Sequence, residues 1–174
     1  MYLVIAVDGP AASGKGSIAS RLAANYGLPH LDTGLLYRAT GLKVLADGAD
    51  LGDAGAAARA AESVTPADLI DETTLTSRGA GEAASRVASH PGVRAALLKL
   101  QQDFARQAGG AVLDGRDIGT VIAPDAPVKL FVQKSGEIVA GGGEGVGHEV
   151  DVVSEKGFGA RTESTRRLNG DVRQ

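Results

Sequence analysis

Residues 3–17 read LVIAVDGPAASGKGS and join an apolar run to a glycine-rich loop that carries a lysine. The run LVIAV is apolar and partly β-branched, which predicts a strand buried on both faces of a parallel sheet. After the loop, Ile18, Leu22 and Tyr26 recur every four residues and a glycine follows at once, which predicts a helix and its end. A strand, a glycine loop and a helix in this order open a βαβ unit.

The loop at residues 9–16, GPAASGKG, differs at one position from the pattern G-x-x-x-x-G-K-[ST] of nucleotide-binding P-loops. The backbone amides of such a loop point at phosphate oxygens, and the dipole of the following helix adds positive potential. Lys15 is expected to reach the β and γ phosphates of a nucleotide. Gly16 takes the usual hydroxyl position, which leaves Ser17 as the nearest hydroxyl to a magnesium ion. The predicted ATP-binding residues are Gly9, Pro10, Ala11, Ala12, Ser13, Gly14, Lys15, Gly16 and Ser17.

The composition narrows the class of protein. A chain of 174 residues suits one domain with a substantial core. The lack of cysteine excludes disulfides, thiol catalysis and cysteine-ligated metal sites, and it favours the reducing cytoplasm. A net charge of −3 without a Lys/Arg cluster argues against binding to a nucleic-acid polymer or a membrane surface. The histidines, His30, His90 and His148, are too far apart in sequence to suggest a metal site.

Strand and helix patterns alternate along the rest of the chain. Strands are predicted at 3–7, 29–31, 111–113 and 128–132, and helices at 14–26, 35–48, 82–90 and 91–108, with one short helix and a loop within 52–72. Four strands alternating with helices predict an α/β fold of three layers. Glycine density nearly doubles afterwards, since residues 134–174 hold 9 glycines against 16 in the preceding 133 positions, and we predict no strong strand there.

P-loops occur in GTPases, ATPases and small-molecule kinases, and the sequence separates these classes. A GTPase requires an Asn-Lys-x-Asp base reader and an Asp-x-x-Gly switch. The only asparagines are Asn25 and Asn169, and neither pattern occurs. Motor and transport ATPases are larger and need partner elements for which this chain has no room. A small kinase is therefore the favoured class.

A kinase whose acceptor is itself a phosphate must neutralise two polyanions, and this requires arginines. Arg38 follows a predicted helix start and Arg94 lies on the helix after Pro91, but either could equally be a solvated surface arginine. Arg116 lies at the carboxyl end of a predicted strand, where open α/β sheets bind ligands. Asp114 closes the same strand and could hold magnesium through water, or it could be a solvated strand-end carboxylate.

Four segments together resemble a known family. They are IAVDGPAASGKGSIASRLA (5–23), LDTGLLYRA (31–39), EAASRVASHPGVRAALLKLQQDFA (82–105) and LDGRDIGTVIAPDAPVKLFV (113–132). In this order and at these separations they closely resemble the bacterial cytidylate kinases, which move the γ phosphate of ATP to CMP or dCMP. The P-loop alone would not be specific, but DGRDIGTV followed by PDAPVK is.

The resemblance implies a three-layer P-loop nucleoside monophosphate kinase fold with a parallel sheet, ATP as phosphate donor, Mg²⁺ as cofactor and a monomeric state. It implies that Arg116 clamps the CMP phosphate, while Asp117, with an arginine and a hydroxyl, reads the cytosine. The implied CMP-binding residues are Thr33, Arg38, Ser85, Arg94, Arg116, Asp117, Glu163 and Arg166. The implied catalytic residues are Lys15, Arg116 and Arg166, and the implied Mg²⁺ site consists of Ser17 and Asp114, largely through water.

The resemblance weakens after residue 132. A lid of this family brings several arginines over ATP, but no arginine occurs between Arg116 and Arg161, and residues 141–151, GGGEGVGHEVD, take the expected place of the lid. ESTRR at 163–167 resembles the family's Asp-Ser-Thr-Arg, which places Glu163 at the ribose. The final strand and helix of the fold are not recognisable, which predicts four strands and an exposed edge where a fifth would lie.

We therefore expect a single kinase domain over residues 1–174. Its expected parts are a P-loop core at 1–33 and 109–133, an acceptor nucleotide-binding subdomain at 34–108, a lid-like segment at 134–153 and a C-terminal helical remnant at 154–174. The predicted activity is phosphorylation of CMP or dCMP by ATP. Two alternatives stay open: a nucleotide-binding protein of the same fold with weak or no catalysis, and a P-loop kinase for UMP or another small acceptor.

Overall fold

The computed structural model of the protein describes residues 3–134 and 148–153, with residues 134 and 148–153 as backbone alone. The strands of this part are β1 Val4–Asp8, β2 His30–Asp32, β3 Ala111–Gly115, β4 Val128–Lys134 and β5 His148–Val153. The helices are α1 Lys15–Tyr26, α2 Thr33–Ala46, α3 Ala54–Glu62, α4 Glu72–Leu75, α5 Arg78–Val87 and α6 Pro91–Ala105. A 3₁₀ turn, Pro66–Leu69, precedes α4, and a π-helical turn, Ile118–Ile122, follows β3. None of the described helices combines the length and apolar character that crossing a bilayer requires.

The described strands form one sheet in the order β2-β3-β1-β4-β5. β1 pairs in parallel with both β3 and β4, and β2 pairs in parallel with β3. These four parallel strands confirm the predicted α/β fold class. The register places Asp8 opposite Gly115 and Asp32 opposite Asp114, so the carboxyl ends of three neighbouring strands meet at one edge of the sheet.

The prediction of an exposed edge beyond β4 is wrong. β5 covers that edge in an antiparallel pairing that runs from Lys129 opposite Val153 to Lys134 opposite His148. The signal for β5 is the short alternation of valine with polar residues in HEVDVV, which the surrounding glycines obscure. The predicted lid-like segment therefore ends in a sheet strand at residues 148–153. Its residues 135–147 and the predicted helical remnant at 154–174 lie outside the described residues.

Two apolar clusters pack on opposite faces of the sheet, and alternate residues of β1 contribute to each. Ile5 and Val7 pack with α1 in the smaller cluster, whereas Ala6 belongs to the larger one with α2, α3, α5 and α6. This alternation is the period of two of a strand that is buried on both faces. The helices therefore form the two outer layers of the predicted three-layer arrangement.

The helical layer depends on a close approach between α2 and α5. A Cβ atom added to Gly41 on α2 would lie 2.7 Å from the Cβ of Ala83 on α5 and 2.9 Å from the Ala83 carbonyl carbon. Ala83 is itself buried, so neither helix has space for a larger residue at this point. The sequence predicted both helices, at 35–48 and 82–90, whereas α2 and α5 begin two and four residues earlier, at Thr33 and Arg78.

We expect Gly41→Ala to lower the free energy of unfolding by about 1–3 kcal/mol, the usual cost of overpacking a core. The matched control is Gly79→Ala, because Gly79 lies on α5 with no atom within 4 Å of an added Cβ. There the better helix propensity of alanine should leave stability unchanged or raise it by up to about 1 kcal/mol. Urea unfolding followed by circular dichroism measures both. Equal stability of the two variants would contradict the proposed helix contact.

Candidate active site

The glycine-rich loop joins β1 to the amino end of α1. Gly14 caps α1 in a left-handed conformation with φ 86°, and Ala12 also has a positive φ of 58°. A side chain at Gly9 would collide with the main-chain oxygen of Val132, so the loop can pass the end of β4 only with glycine there. The first backbone amides of α1 lack partners within the helix, as at any helix amino terminus. The conformation is suited to binding an anion.

Asp114 is buried close to the first turn of α1, which follows this loop. The residue is 1% exposed, and its Oδ1 lies 2.7 Å from Nε2 of His30. The other oxygen, Oδ2, lies 3.7 Å from where a Cβ of Gly16 would be, so the carboxylate faces the first turn of α1. The interpretation of Asp114 as a solvated strand-end carboxylate is therefore wrong. A buried carboxylate beside a P-loop helix has the chemistry and the place to hold a magnesium ion through water.

Asp32 and Lys15 extend this group of charges. Burial and the negative charge of Asp114 raise the pKa of Asp32, while the Gly34 amide and the charges of Lys15 and His30 lower it. Asp32 also caps α2 by accepting a hydrogen bond of 2.8 Å from Gly34 N. Among the described residues no three metal-ligating side chains converge into a complete metal site. This fits Mg²⁺, which is usually held by one or two carboxylates together with water and substrate phosphates.

Arg116 and Asp117 follow β3 directly, and both side chains are exposed. Asp117 has φ 57°, a left-handed conformation that costs a non-glycine residue about 1–3 kcal/mol. The π-helical turn follows at once, with Ile122 N donating to Asp117 O at 3.2 Å and Ala123 N donating to Ile118 O at 2.7 Å. Strained residues and π turns are both enriched at functional sites. The exposure of Arg116 and Asp117 leaves them accessible to a ligand at the strand ends.

Thr33, Arg38, Ser85 and Arg94 are oriented by hydrogen bonds to the backbone. Thr33 Oγ1 donates to Asp114 O at 3.0 Å, and Ser85 Oγ donates to Gly81 O at 3.1 Å. Arg38 Nη1 donates to Leu75 O at 2.9 Å, and Arg94 Nε donates to Ala88 O at 2.7 Å. Since a guanidinium carries five N–H groups, each of these bonds fixes the arginine and uses only part of its donor capacity.

The phenol of Tyr37 lies within electrostatic range of two of the predicted base-reading residues. Burial raises the pKa of Tyr37, the positive charge of Arg94 lowers it and the negative charge of Asp117 raises it, so both charged groups act on the same phenol. On α5, a Cβ added to Gly81 would lie 3.5 Å from Arg38 Nη1, and the carbonyl of Gly81 accepts the Ser85 hydroxyl. The structure thus brings Arg94 and Asp117 near Tyr37, and Arg38 and Ser85 to one turn of α5.

Sequence reasoning missed Asp8, His30 and Tyr37. Asp8 closes β1 and is available to the rule that ligands bind at strand ends, which could have found it. The bond between His30 and Asp114 joins residues 84 positions apart, and no local pattern reveals it. Glu163 and Arg166 lie outside the described residues, and their predicted roles stay predictions.

A separate cavity of about 210 Å³ lies between α2 and α4. Leu42, Leu75 and the ion pair of Lys43 with Asp68 contribute to its lining. It contains none of the candidate catalytic or CMP-binding residues. The charged side chains at the strand ends, rather than this cavity, define the candidate site.

The chain matches the model of the family described as Cytidylate kinase over residues 5–141. It is 59% identical over 140 residues to a cytidylate kinase of Caulobacter vibrioides, covering 80% of this chain and 65% of that protein. It is 61% identical over 135 residues to the cytidylate kinase of Methylocella silvestris, covering 78% of this chain and 62% of that protein. It is 59% identical over 155 residues to the cytidylate kinase of Xanthobacter autotrophicus, covering 84% of this chain and 74% of that protein.

The chain thus spans slightly less than two thirds of the length of the first of these relatives. The matched region runs from β1 to beyond β4 and includes the phosphate loop, Asp114 and the Arg116–Asp117 turn. With identities near 60% over this region, the chain belongs to the cytidylate kinase family.

Proposed function

We propose that this chain transfers the γ phosphate of ATP to CMP or dCMP, giving ADP and CDP or dCDP. The observation that carries the proposal is the meeting of three features at the carboxyl ends of the parallel strands. These are the phosphate loop after β1, buried Asp114 at the end of β3, and exposed Arg116 and Asp117 just beyond it. A donor site and an acceptor site side by side are what phosphoryl transfer between two nucleotides needs.

The donor nucleotide binds along residues 9–17 in this proposal. The loop amides and Lys15 hold the phosphates of ATP, with Lys15 reaching the transferred phosphoryl group. Asp114 and Ser17 would hold Mg²⁺ largely through water, and the ion would supply positive charge that neutralises phosphate charge. The hydrogen bond from His30 keeps the Asp114 carboxylate oriented toward α1. The charge of Lys15 lowers the pKa of Asp32, which supports this arrangement because it indicates that the lysine lies near the charged groups at the strand ends.

The acceptor nucleotide binds on the other side of the strand ends, toward α2, α5 and α6. Arg116 clamps the CMP phosphate with Arg38, and Thr33 faces the nucleotide as an acceptor, because its proton is donated to Asp114 O. Cytosine presents an amino donor beside ring acceptors. Asp117 accepts from that amino group, while Arg94 and Ser85 donate to the ring acceptors. We also propose Arg166 for the CMP phosphate and Glu163 for the ribose.

The chemistry requires no nucleophile from the protein. A phosphate oxygen of CMP attacks the γ phosphorus of ATP, and the bond from that phosphorus to the oxygen bridging the β and γ phosphates breaks, leaving ADP. Lys15, Arg116 and Arg166 stabilise the negative charge of the transferring group. The protein therefore acts by positioning and by charge neutralisation.

A second candidate is a nucleotide-binding protein of this fold with little turnover. Residues 117–160 contain no arginine, although a lid arginine can contribute roughly 10³–10⁵ to the rate of phosphoryl transfer. Lys134 or Lys156 would have to replace such arginines for full activity. This candidate predicts CMP binding with a negligible rate. A kinase for UMP or another small acceptor is the third reading, and it predicts a different order of acceptors.

We expect purified protein to release ADP from ATP when CMP or dCMP is present. We expect Lys15→Ala to lower this rate by about 100-fold or more, because the substitution removes the positive charge that stabilises the transferring phosphoryl group. Lys99→Ala is the matched control, since exposed Lys99 pairs only with Asp103 on the same helix among the contacts described. A coupled ADP assay with CMP, dCMP, UMP and AMP measures rate and preference. Acceptor-independent ADP release would contradict the proposal, and a preference for AMP would exclude the assigned base readers.

We expect Arg116→Ala to weaken CMP binding about 10- to 100-fold, because hydrogen bonds to a charged group contribute about 1.5–3 kcal/mol. Arg78→Ala is the control, since Arg78 is exposed and pairs with Glu82 one helical turn away. Titration calorimetry with CMP measures both affinities. Unchanged affinity in Arg116→Ala would remove Arg116 from the acceptor site. Tight CMP binding without ADP release in the wild type would favour the low-turnover candidate.

A further inference from the structure

We infer that Asp8 is a positioning residue that fixes the turn carrying Arg116 and Asp117, and thereby sets the affinity for the acceptor nucleotide. This inference rests on the proposed function for the identity of the acceptor. It assigns a role to a residue outside the predicted ATP-binding and CMP-binding sets.

The side chain of Asp8 makes two hydrogen bonds to the backbone of the π-helical turn. Its Oδ1 accepts from Ile118 N at 2.7 Å, and its Oδ2 accepts from Gly119 N at 2.9 Å. Asp8 is 7% exposed, and Ile118 is fully buried. Each carboxylate oxygen thus has its own N–H donor in a water-poor environment, where a hydrogen bond to an ionised group is strong. The contact joins two segments that are 110 residues apart along the chain.

This contact lies directly after the strained residue of the site. Asp117 keeps its left-handed φ of 57° only if the surrounding structure holds it there. On its amino-terminal side, the main-chain oxygen of Asp114 accepts from Thr33 Oγ1 at the end of β3. On its carboxyl-terminal side, the two N–H groups bound by Asp8 fix residues 118 and 119. Asp8 therefore supplies the restraint that completes the conformation in which Arg116 and Asp117 are exposed.

The restraint acts on the turn rather than on the phosphate loop. The backbone of Asp8 is held within the sheet, opposite Gly115 of β3 and Phe131 of β4. The backbone of Gly9 lies so close to the main-chain oxygen of Val132 that no side chain would fit between them. A change in the Asp8 side chain leaves these backbone contacts in place. We therefore expect it to affect acceptor binding much more than donor binding.

Asp8→Asn tests the inference with almost no change in volume. The amide retains one acceptor oxygen but presents an NH₂ group to the second N–H, so one buried donor of the turn loses its partner. We expect the Kd for CMP to rise about 10-fold or more, because the turn then takes its binding-competent conformation in only a fraction of the molecules and the apparent Kd rises by the inverse of that fraction. The Kd for ATP should change by less than about twofold, because the phosphate loop keeps its backbone contacts. Titration calorimetry with each nucleotide separately gives this comparison.

Asp53→Asn is the matched control. The Asp53 carboxylate also accepts two backbone N–H bonds, from Gly55 at 2.9 Å and Ala56 at 3.0 Å, but it caps α3 on the surface. Both nucleotide affinities should stay unchanged in this variant. Because both of these N–H groups bond to Oδ1, Asp53→Asn removes the charge and can keep both bonds. A general effect of removing a carboxylate charge would therefore appear in both variants, whereas the loss of one N–H partner in the turn appears only in Asp8→Asn.

Hydrogen exchange on the wild-type protein tests the contact without any variant. The amides of Ile118 and Gly119 should be protected, and in Asp8→Asn at least one of them should exchange about 10-fold faster. Unprotected amides in the wild type overturn the inference, even if Asp8→Asn does not fold. Equal weakening of ATP and CMP binding, or unchanged CMP binding, also overturns it. Lack of CMP binding by the wild type instead overturns the proposed function, together with the acceptor part of this inference.

Discussion

The parallel pairing of β1 with β3 is the constraint on which the rest of the site depends. Its register places Asp8 opposite Gly115 and Val7 opposite Asp114, so the start of the phosphate loop and the start of the Arg116–Asp117 turn leave the sheet side by side. A shift of one residue would turn the side chain of Asp114 to the other face of the sheet. The buried valines and leucine of these strands prevent such a shift, because they would then lose their places in the two apolar clusters. The packing of the core therefore sets the geometry of the site.

Carboxylates at this edge present an electrostatic problem for a site that would bind polyanions. Asp8, Asp32 and Asp114 lie at the carboxyl ends of three neighbouring strands, and uncompensated negative charge there would repel phosphate. Each carboxylate has a donor within the protein: Asp8 has two backbone amides, Asp32 has Gly34 N, and Asp114 has His30. Lys15 adds a positive charge that acts on Asp32. Internal compensation of this kind lets carboxylates lie at this edge without excluding a nucleotide.

The sequence predicted those parts of the fold that local patterns encode. LVIAV, the glycine loop and the four-residue spacing of α1 are sufficient for the first strand, loop and helix, and Asp114 was recognisable because it closes an apolar run. The failures have a common cause. β5 gains its stability from pairing with β4, the His30–Asp114 bond joins two different strands, and Asp8 binds amides 110 residues away. Each depends on contacts between distant segments, and the burial of Asp114 is likewise visible only once the chain is folded.

The separation of β1 from β3 along the chain also has a kinetic consequence. Val4 pairs with Ala111, and the helices α2 to α6 occupy most of the interval between them. Contacts between distant residues form late because closing a long loop costs entropy before the contact contributes any stability. Contacts between neighbouring helices, such as that of Gly41 with Ala83, span far fewer residues and can form earlier. During synthesis, the edge at which both nucleotides would bind cannot be assembled until β3 has emerged from the ribosome, so the complete site forms only after most of the helical layer has been made.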